Sequence, residues 1–462
     1  MARPNPRETS PPMPASLLLS PDAIRADFSA ALSAMYRLEV PQYGVLMDLV
    51  ADINAQALQA DPALRDALAA GEQIARLDQE RHGAIRVGTE EELALIARMF
   101  AVMGMAPVGY YDLAEAGVPV HSTAFRPVSD ASLAANPFRV FTSLLRLPLI
   151  EDPALRDEAA AILARRRIFT PRALELLQRA EAQGGLDAEQ AAAFVPALLD
   201  TFRWHGDATV DAATYEHLLA SHRLVADVVC FRGPHINHLT PRTLDIDAAQ
   251  AEMPRRGIGA KALIEGPPTR RHPILLRQTS FKALEEPIAF AGAEGVSGAH
   301  TARFGEIEQR GAALTRAGRA LYNRLLNEAR DGDAAVPYAE RLARAFEAFP
   351  DDLDQMRRAG LAFFRYRAVA PADADAASQS IDELVARGIV QAEPITYEDF
   401  LPVSAAGIFR SNLGDASGPT YDAPGSRAEF ERALGRAVHD EIALYEAAEQ
   451  RSIAELRAAL AA

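Results

Sequence analysis

The chain has 462 residues and is nearly half hydrophobic, enough for one large domain with insertions or for roughly two or three smaller ones. Its formal net charge of -15 excludes the broad basic face that nucleic acid or an anionic membrane requires, although a local arginine can still hold a small anion. A single cysteine, Cys230, excludes an internal disulfide and any cysteine-built zinc or iron–sulfur site; a bound metal must take His, Asp or Glu, and a reducing, cytoplasmic setting is expected.

Residues 1–19 are polar and proline-rich, lack the apolar centre of a secretory signal, and read as a flexible tail. No apolar run approaches the roughly 20 residues needed to cross a bilayer, so no membrane partner is expected. Ser20-Pro21 is a helix start, a hydroxyl cap followed by proline in the first turn. Ile24, Phe28, Leu32 and Met35 follow at helical spacing as one buried stripe. A second scaffold helix is expected over residues 43–58, with Leu46, Leu49, Val50 and Ile53 inward.

The stretch Arg81-His-Gly-Ala-Ile-Arg-Val-Gly88 reads as a strand. Thr89 and Glu92 predict a capping box, opening a helix that runs to Met103 and ends at Gly104. Strand alternation puts His82, Ala84 and Arg86 on one face, with the backbones of His82 and Arg86 about 13 Å apart. A metal on the first and a carboxylate on the second would be two ends of one short diacid. Strands are then expected over residues 106–111, 118–125 and 138–145. Residues 152–219 turn helical, with starts at Thr170-Pro171 and Asp187; their Trp204, His205 and His217, and His222 just beyond, read as packing and surface residues.

The next stretch, Cys230-Phe-Arg-Gly-Pro-His-Ile-Asn-His-Leu-Thr-Pro-Arg-Thr-Leu-Asp-Ile-Asp247, is strand-like but interrupted by Gly233 and Pro234, so a strand here is short or kinked. Histidines in such a run are ordinarily satisfied by hydrogen bonds. Repetition points further: His238 and Arg242 repeat the spacing of His82 and Arg86, and a helix over residues 245–256 follows, closed by Gly257. The step from histidine to helix-ending glycine is 22 residues in the first copy and 19 in the second. Such a duplication predicts two similar sheets facing each other across a pseudo-twofold, their first strands brought together, with a metal between one histidine from each. Strands are also expected over residues 274–278 and 303–310. In the latter, Glu306 and Glu308 share a face, and either offers a third ligand. Two histidines and one carboxylate leave open positions, the arrangement of non-haem Fe(II) oxygenases. Residues 311–361 read as helical, 397–413 as a loop closing over something, and 427–461 as an amphipathic helical tail.

Together, Arg81-His-Gly-Ala-Ile-Arg86, His235-Ile-Asn-His-Leu-Thr-Pro-Arg242, Phe304-Gly-Glu-Ile-Glu308 and the 397–413 stretch resemble the iron-dependent 2-oxoadipate dioxygenase/decarboxylases, also called 2-hydroxyglutarate synthases. The resemblance covers residues 20 to the end. It implies an α+β fold in which duplicated strand-helix-strands modules form a vicinal-oxygen-chelate-like curved sheet around a metal, with helical additions. It implies metal ligands at His82, His238 and Glu306, a substrate-holding arginine at Arg86, and late-loop substrate contacts at Val403 and Ser404. His235 and Glu308 receive no ligand role, and Asn237 is placed as a hydrogen-bond partner of the ligands. The implied reaction takes 2-oxoadipate and O2 to (R)-2-hydroxyglutarate and CO2 in lysine breakdown, with Fe(II) as cofactor. The expected organisation is one catalytic domain over residues 20–462: a first sheet module about 80–146, a helical insertion about 150–222, a second module about 224–312, and C-terminal helices with a lid loop about 313–462. Two other readings share these residues. A lyase or isomerase of the same fold would consume no oxygen, and a non-catalytic diacid-binding protein would show no turnover with added iron.

Overall fold

In the computed structural model, which describes residues 18–70, 73–114, 117–292, 297–301, 303–371, 376–401 and 424–461, the chain opens with the two scaffold helices that their caps and stripes dictate. In Pro21–Glu39 the Ser20 hydroxyl accepts the Ala23 N–H, and Ile24, Phe28, Leu32 and Met35 are buried. Pro41–Ala60 buries Leu46, Leu49, Val50 and Ile53. The expected tail over residues 1–19 lies almost wholly outside the described residues.

Eleven strands follow among the described residues: β1 Arg81–Val87, β2 Ala106–Asp112, β3 Val120–Arg126, β4 Arg139–Leu145, β5 His238–Pro241, β6 Leu276–Ser280, β7 Glu285–Ala289, β8 Ser297–Thr301, β9 Phe304–Arg310, β10 Phe364–Ala368 and β11 Val390–Pro394. Seven form one sheet in the order β2-β3-β4-β1-β5-β9-β6. β1 runs parallel to β4, and β5 parallel to β9. The two halves join where β1 and β5 pair antiparallel, His82 opposite Thr240 and Ala84 opposite His238. The expected meeting of the two first strands is thus the seam of a single α+β sheet. In the second half the chain before β6 adds only isolated bridges, Ala260 to Phe281 and Glu265 to Gln278, where the first half has a full strand.

Alternation along these strands divides the molecule. Ile85, Val87, Leu239 and Ile307 enter the core beneath the scaffold helices, together with Phe28, Leu46 and Phe100. His82, Ala84, Arg86, His238, Thr240, Glu306 and Glu308 lie at the alternate positions, on the opposite face. Close packing on the core side explains Gly305, where a Cβ would fall 2.2 Å from the Phe281 ring and 2.9 Å from Leu46.

Several local expectations are corrected. The Thr89 hydroxyl accepts the Glu92 N–H as predicted, but the Glu92 carboxylate takes the Gly88 N–H and pairs with Arg166, so the reciprocal half of the box goes one residue upstream. Of the long stretch 230–247, only His238–Pro241 is strand, because Gly233 and Pro234 interrupt the ladder. The strand expected at 274 begins at Leu276, after Leu275, the one non-glycine residue with positive φ (52°) among the described residues. The hairpins β7–β8 and β10–β11 were not anticipated. The helix at 245–256 divides into an α-helix, Ile246–Glu252, and a 3-10 turn ending at Gly257. No described helix is long and apolar enough to cross a membrane.

Candidate metal centre

The seam positions three side chains from three adjacent strands. His82 on β1, His238 on β5 and Glu306 on β9 are fully buried, and each offers a ligand atom within 4.8 Å of the other two. This is the one such group of three His, Cys, Asp or Glu among the described residues. His82 Nε2 lies 3.1 Å and His238 Nε2 3.9 Å from Glu306 Oε1. Neighbouring ligands around an ion bound at about 2.1 Å stand about 3 Å apart, so the spacing suits a small divalent cation.

Hydrogen bonding supports that fit. Among the described residues neither ring nitrogen of His238 has a hydrogen-bond partner, and neither does Glu306 Oε2, although all three atoms are buried. An unsatisfied buried polar atom costs about 1–3 kcal/mol, so a bare imidazole nitrogen and a bare carboxylate oxygen in one group of three mark a place for an occupant. Burial, helped by the neighbouring His82 and Arg86, holds His238 well below the ordinary imidazole range, leaving it the neutral lone-pair donor that metal binding needs. Burial also raises the Glu306 carboxyl, against the pull of His82 and Thr240; a bound cation would reverse that direction.

Around the triad is a set of residues that orient it. Gln278 Nε2 and the Thr240 hydroxyl donate to Glu306 Oε1, at 2.8 and 3.1 Å, which fixes one carboxylate oxygen. His82 turns its other nitrogen, Nδ1, toward Glu308 Oε2 at 3.2 Å and Arg139 Nη2 at 3.5 Å, so a carboxylate and a guanidinium together bear on the orientation of the ring. Glu308 is in turn held by Arg139 and by Arg310 Nε at 2.8 Å. Burial opposes its charge, but the two guanidinium groups hold it well below the ordinary carboxylate range. Arg139 also donates to the backbone carbonyls of Glu398 and Asp399, both at 2.8 Å, and lies 4.5 Å over the Phe400 ring. Phe400 packs edge-on against His82 at 4.9 Å, and Phe304 lies 4.8 Å from His238, so aromatic walls flank both imidazoles.

Arg86 lies further along β1 on the same face, and its charge is felt at His238. Its Nη1 donates to Asp227 Oδ2 at 2.6 Å. Arg242, its counterpart just past the end of β5, points into a different charge cluster: its Nη1 is 3.0 Å from Glu80, which also binds Arg76 and Arg310 at 2.6 and 2.8 Å. Val403 and Ser404 lie outside the described residues, as does most of the loop expected at 397–413. The Asn237 amide meets His235 at 3.2 Å, and its other amide atom, Oδ1, has no partner, so its bond goes to His235 and not to the triad. Trp204 packs edge-on against His235 at 4.7 Å, in the packing role expected of it.

Sequence reasoning named the triad and Arg86 but assigned no part to Thr240, Gln278, Glu308, Arg139 or Asp227. Thr240 was within reach, since it follows His238 by one pleat. Arg139 stands opposite His82 in the parallel ladder, a relation that no local pattern carries.

The family model for 2-oxoadipate dioxygenase/decarboxylase matches residues 28–412. A 2-oxoadipate dioxygenase/decarboxylase of Pseudomonas putida is 60% identical over 452 residues, 96% of this chain and 97% of that one. One from Escherichia coli is 58% identical, covering 94% of this chain and 98% of its own, and one from Mycobacterium tuberculosis 42%, covering 95% and 99%. The crystal structure of the Pseudomonas putida hydroxyglutarate synthase in complex with 2-oxoadipate superposes with a TM-score of 0.91 at 57% identity, over 96% of this chain and all of that one. With two histidines and a glutamate poised at the seam of a duplicated sheet, and with likeness of this extent along the chain, the protein belongs to the 2-oxoadipate dioxygenase/decarboxylase family.

Proposed function

We propose that the enzyme converts 2-oxoadipate and O2 to (R)-2-hydroxyglutarate and CO2, with Fe(II) held by His82, His238 and Glu306 and the distal carboxylate of the substrate held by Arg86. The observation that carries the reading is His238, fully buried with both ring nitrogens unpartnered among the described residues, beside a glutamate oxygen in the same condition. Two imidazoles and one carboxylate are the donor set of non-haem iron oxygenases, and they leave a face open to a chelating 2-oxo acid. The relatives' names supply the substrate: one solved relative is described as a complex with 2-oxoadipate.

Iron(II) bound here would supply a Lewis acid and the one-electron redox chemistry that lets O2 react with a closed-shell 2-oxo acid. The protein's own groups hold the geometry. Glu308 holds the His82 ring with Nε2 toward the centre, while Gln278 and Thr240 keep Glu306 from rotating. Phe304 and Phe400 keep bulk water from the imidazoles. Arg86, on the triad's side of the sheet, offers a planar fork to the far carboxylate, which arginine matches better than lysine does. The reaction balances without a second 2-oxo acid: oxidative decarboxylation of the substrate supplies two electrons, oxidation of the adjacent C–H supplies two more, and both atoms of O2 end in the hydroxy acid.

We read residues 20–462 as one catalytic unit with the module boundaries given above, working in the cytoplasm. Lysine breakdown is the setting that the family resemblance implies. The test is anaerobic loading with Fe(II), followed by oxygen uptake with 2-oxo diacids of different length. Stoichiometric O2 consumption and CO2 release with the six-carbon diacid are expected. Full iron occupancy without oxygen uptake on that substrate would overturn the reading.

A further inference from the structure

Asp227 stands apart from the metal triad, yet it is a carboxylate held by three side chains, Arg86 among them. It comes from the short helix Arg223–Val229 and is buried. Its Oδ2 accepts Arg86 Nη1 at 2.6 Å, and its Oδ1 lies 3.0 Å from His300 Nε2 and 3.3 Å from His235 Nε2. The partners are themselves fixed. His300 Nδ1 meets the Tyr215 hydroxyl at 2.9 Å, and His235 meets the Asn237 amide at 3.2 Å. Trp204 stacks on His300 and packs edge-on to His235. Burial works against the Asp227 charge, yet Arg86, His235 and His300 hold the group well below the ordinary carboxylate range.

An arginine side chain has four rotatable bonds, so its strand position alone does not fix how far its guanidinium stands from the metal. Adding one methylene to a diacid moves the far carboxylate by only about 1.3 Å. A site that reads chain length therefore needs the guanidinium fixed by something other than the substrate, before the substrate arrives. Asp227 is placed to do this, since it grips one guanidinium nitrogen and is gripped in turn from β8, the Asn237 segment and the helix that carries it.

We propose that Asp227, supported by His235 and His300, is the positioning residue that fixes the Arg86 guanidinium along β1 and so sets the length of 2-oxo diacid that the site accepts. The proposal rests on the reading of Arg86 as the distal-carboxylate contact. The alternative is that Asp227 only neutralises a buried arginine, in which case its loss would weaken all diacids alike.

The experiment compares the iron-loaded parent, Asp227→Asn, Asp227→Glu and Arg86→Ala with 2-oxo diacids of five, six and seven carbons and with the six-carbon 2-oxo monoacid. It reads kcat and KM separately, anaerobic binding by calorimetry, iron content and thermal unfolding. In Asp227→Asn the preference for the six-carbon diacid over its shorter and longer homologues is expected to fall about tenfold, chiefly through KM and binding, with iron content normal. Asp227→Glu, which keeps the charge on a longer arm, is expected to shift the preferred length, and it decides the question if the asparagine variant does not fold. A uniform loss on all three diacids with their ratios intact, in whichever variant folds, overturns the proposal. If Arg86→Ala still separates diacid from monoacid as the parent does, the Arg86 reading itself is overturned. Loss of that separation in Arg86→Ala beside unchanged length ratios in both Asp227 variants overturns the positioning role alone.

Discussion

Two buried clusters of this protein each contain two histidines and one carboxylate. His82, His238 and Glu306 form one; His235, His300 and Asp227 form the other, and His235 and His238 are only three positions apart in the chain. In the second cluster the polar groups find protein partners: Asp227 has Arg86, His300 has Tyr215 and His235 has Asn237. In the first, His238 has none at either nitrogen among the described residues, and Glu306 leaves one oxygen bare. Both are two buried imidazoles beside a buried carboxylate. What separates a place for a cation from a structural network is whether hydrogen-bonding capacity has been used up within the protein.

The sharpest way to break this comparison is to treat the two histidines alike. His238→Ala should abolish iron binding and turnover, measured by metal analysis and oxygen uptake. The melting temperature of the metal-free protein should barely fall, since the ring leaves no hydrogen-bond partner behind. Full iron and activity in this variant would mean that the site is misplaced. Glu308→Gln tests the link between the triad and its surroundings. Removing the carboxylate that orients His82 should weaken metal affinity about 10- to 100-fold in chelator competition. It should also cost roughly 3–5 kcal/mol of stability, because Arg139 and Arg310 lose their shared buried counter-ion.

Arg86→Lys touches the second cluster from the substrate side. It keeps the charge but loses the fork, so catalytic efficiency on 2-oxoadipate should fall about tenfold or more while iron content stays normal. Preference for the diacid over an equally long monoacid should shrink as well. The smallest effect is expected from His235→Gln. Metal content should be unchanged, with roughly 1–3 kcal/mol lost from denaturant unfolding as Asp227 and Asn237 lose a partner. Iron loss in this variant would erase the distinction between the clusters.

The contrast also explains which parts of the molecule could be read in the sequence. Alternation along a strand is local, so His82 with Arg86, and Glu306 with Glu308, fall on shared faces by counting alone. The repeat of histidine, helix and closing glycine predicts that β1 and β5 come together, but not that they pair antiparallel within one continuous sheet. Counting could not say which glutamate faces the metal and which supports a histidine, because that depends on Arg139 and Arg310 claiming Glu308. Nor could it find Asp227, which meets Arg86 across 141 residues from a helix with no strand period to announce it. The β10–β11 hairpin lies in a helix-rich region and covers a satellite core of its own, without the long alternation that marks the main sheet.

One consequence follows from the seam between β1 and β5. His82 belongs to the first module, whereas His238 and Glu306 belong to the second, and Glu306 leaves the ribosome 224 residues after His82. During synthesis no emerging half of the chain carries a complete donor set. On the proposed ligand set, capture of a metal would have to wait until β1 and β5 have paired in register. A slip of one residue along β5 would carry His238 into the apolar layer and put Leu239 in its place, leaving the ion without a ligand. On the proposed ligand set, an occupied centre would form only on a chain whose two halves have closed in register.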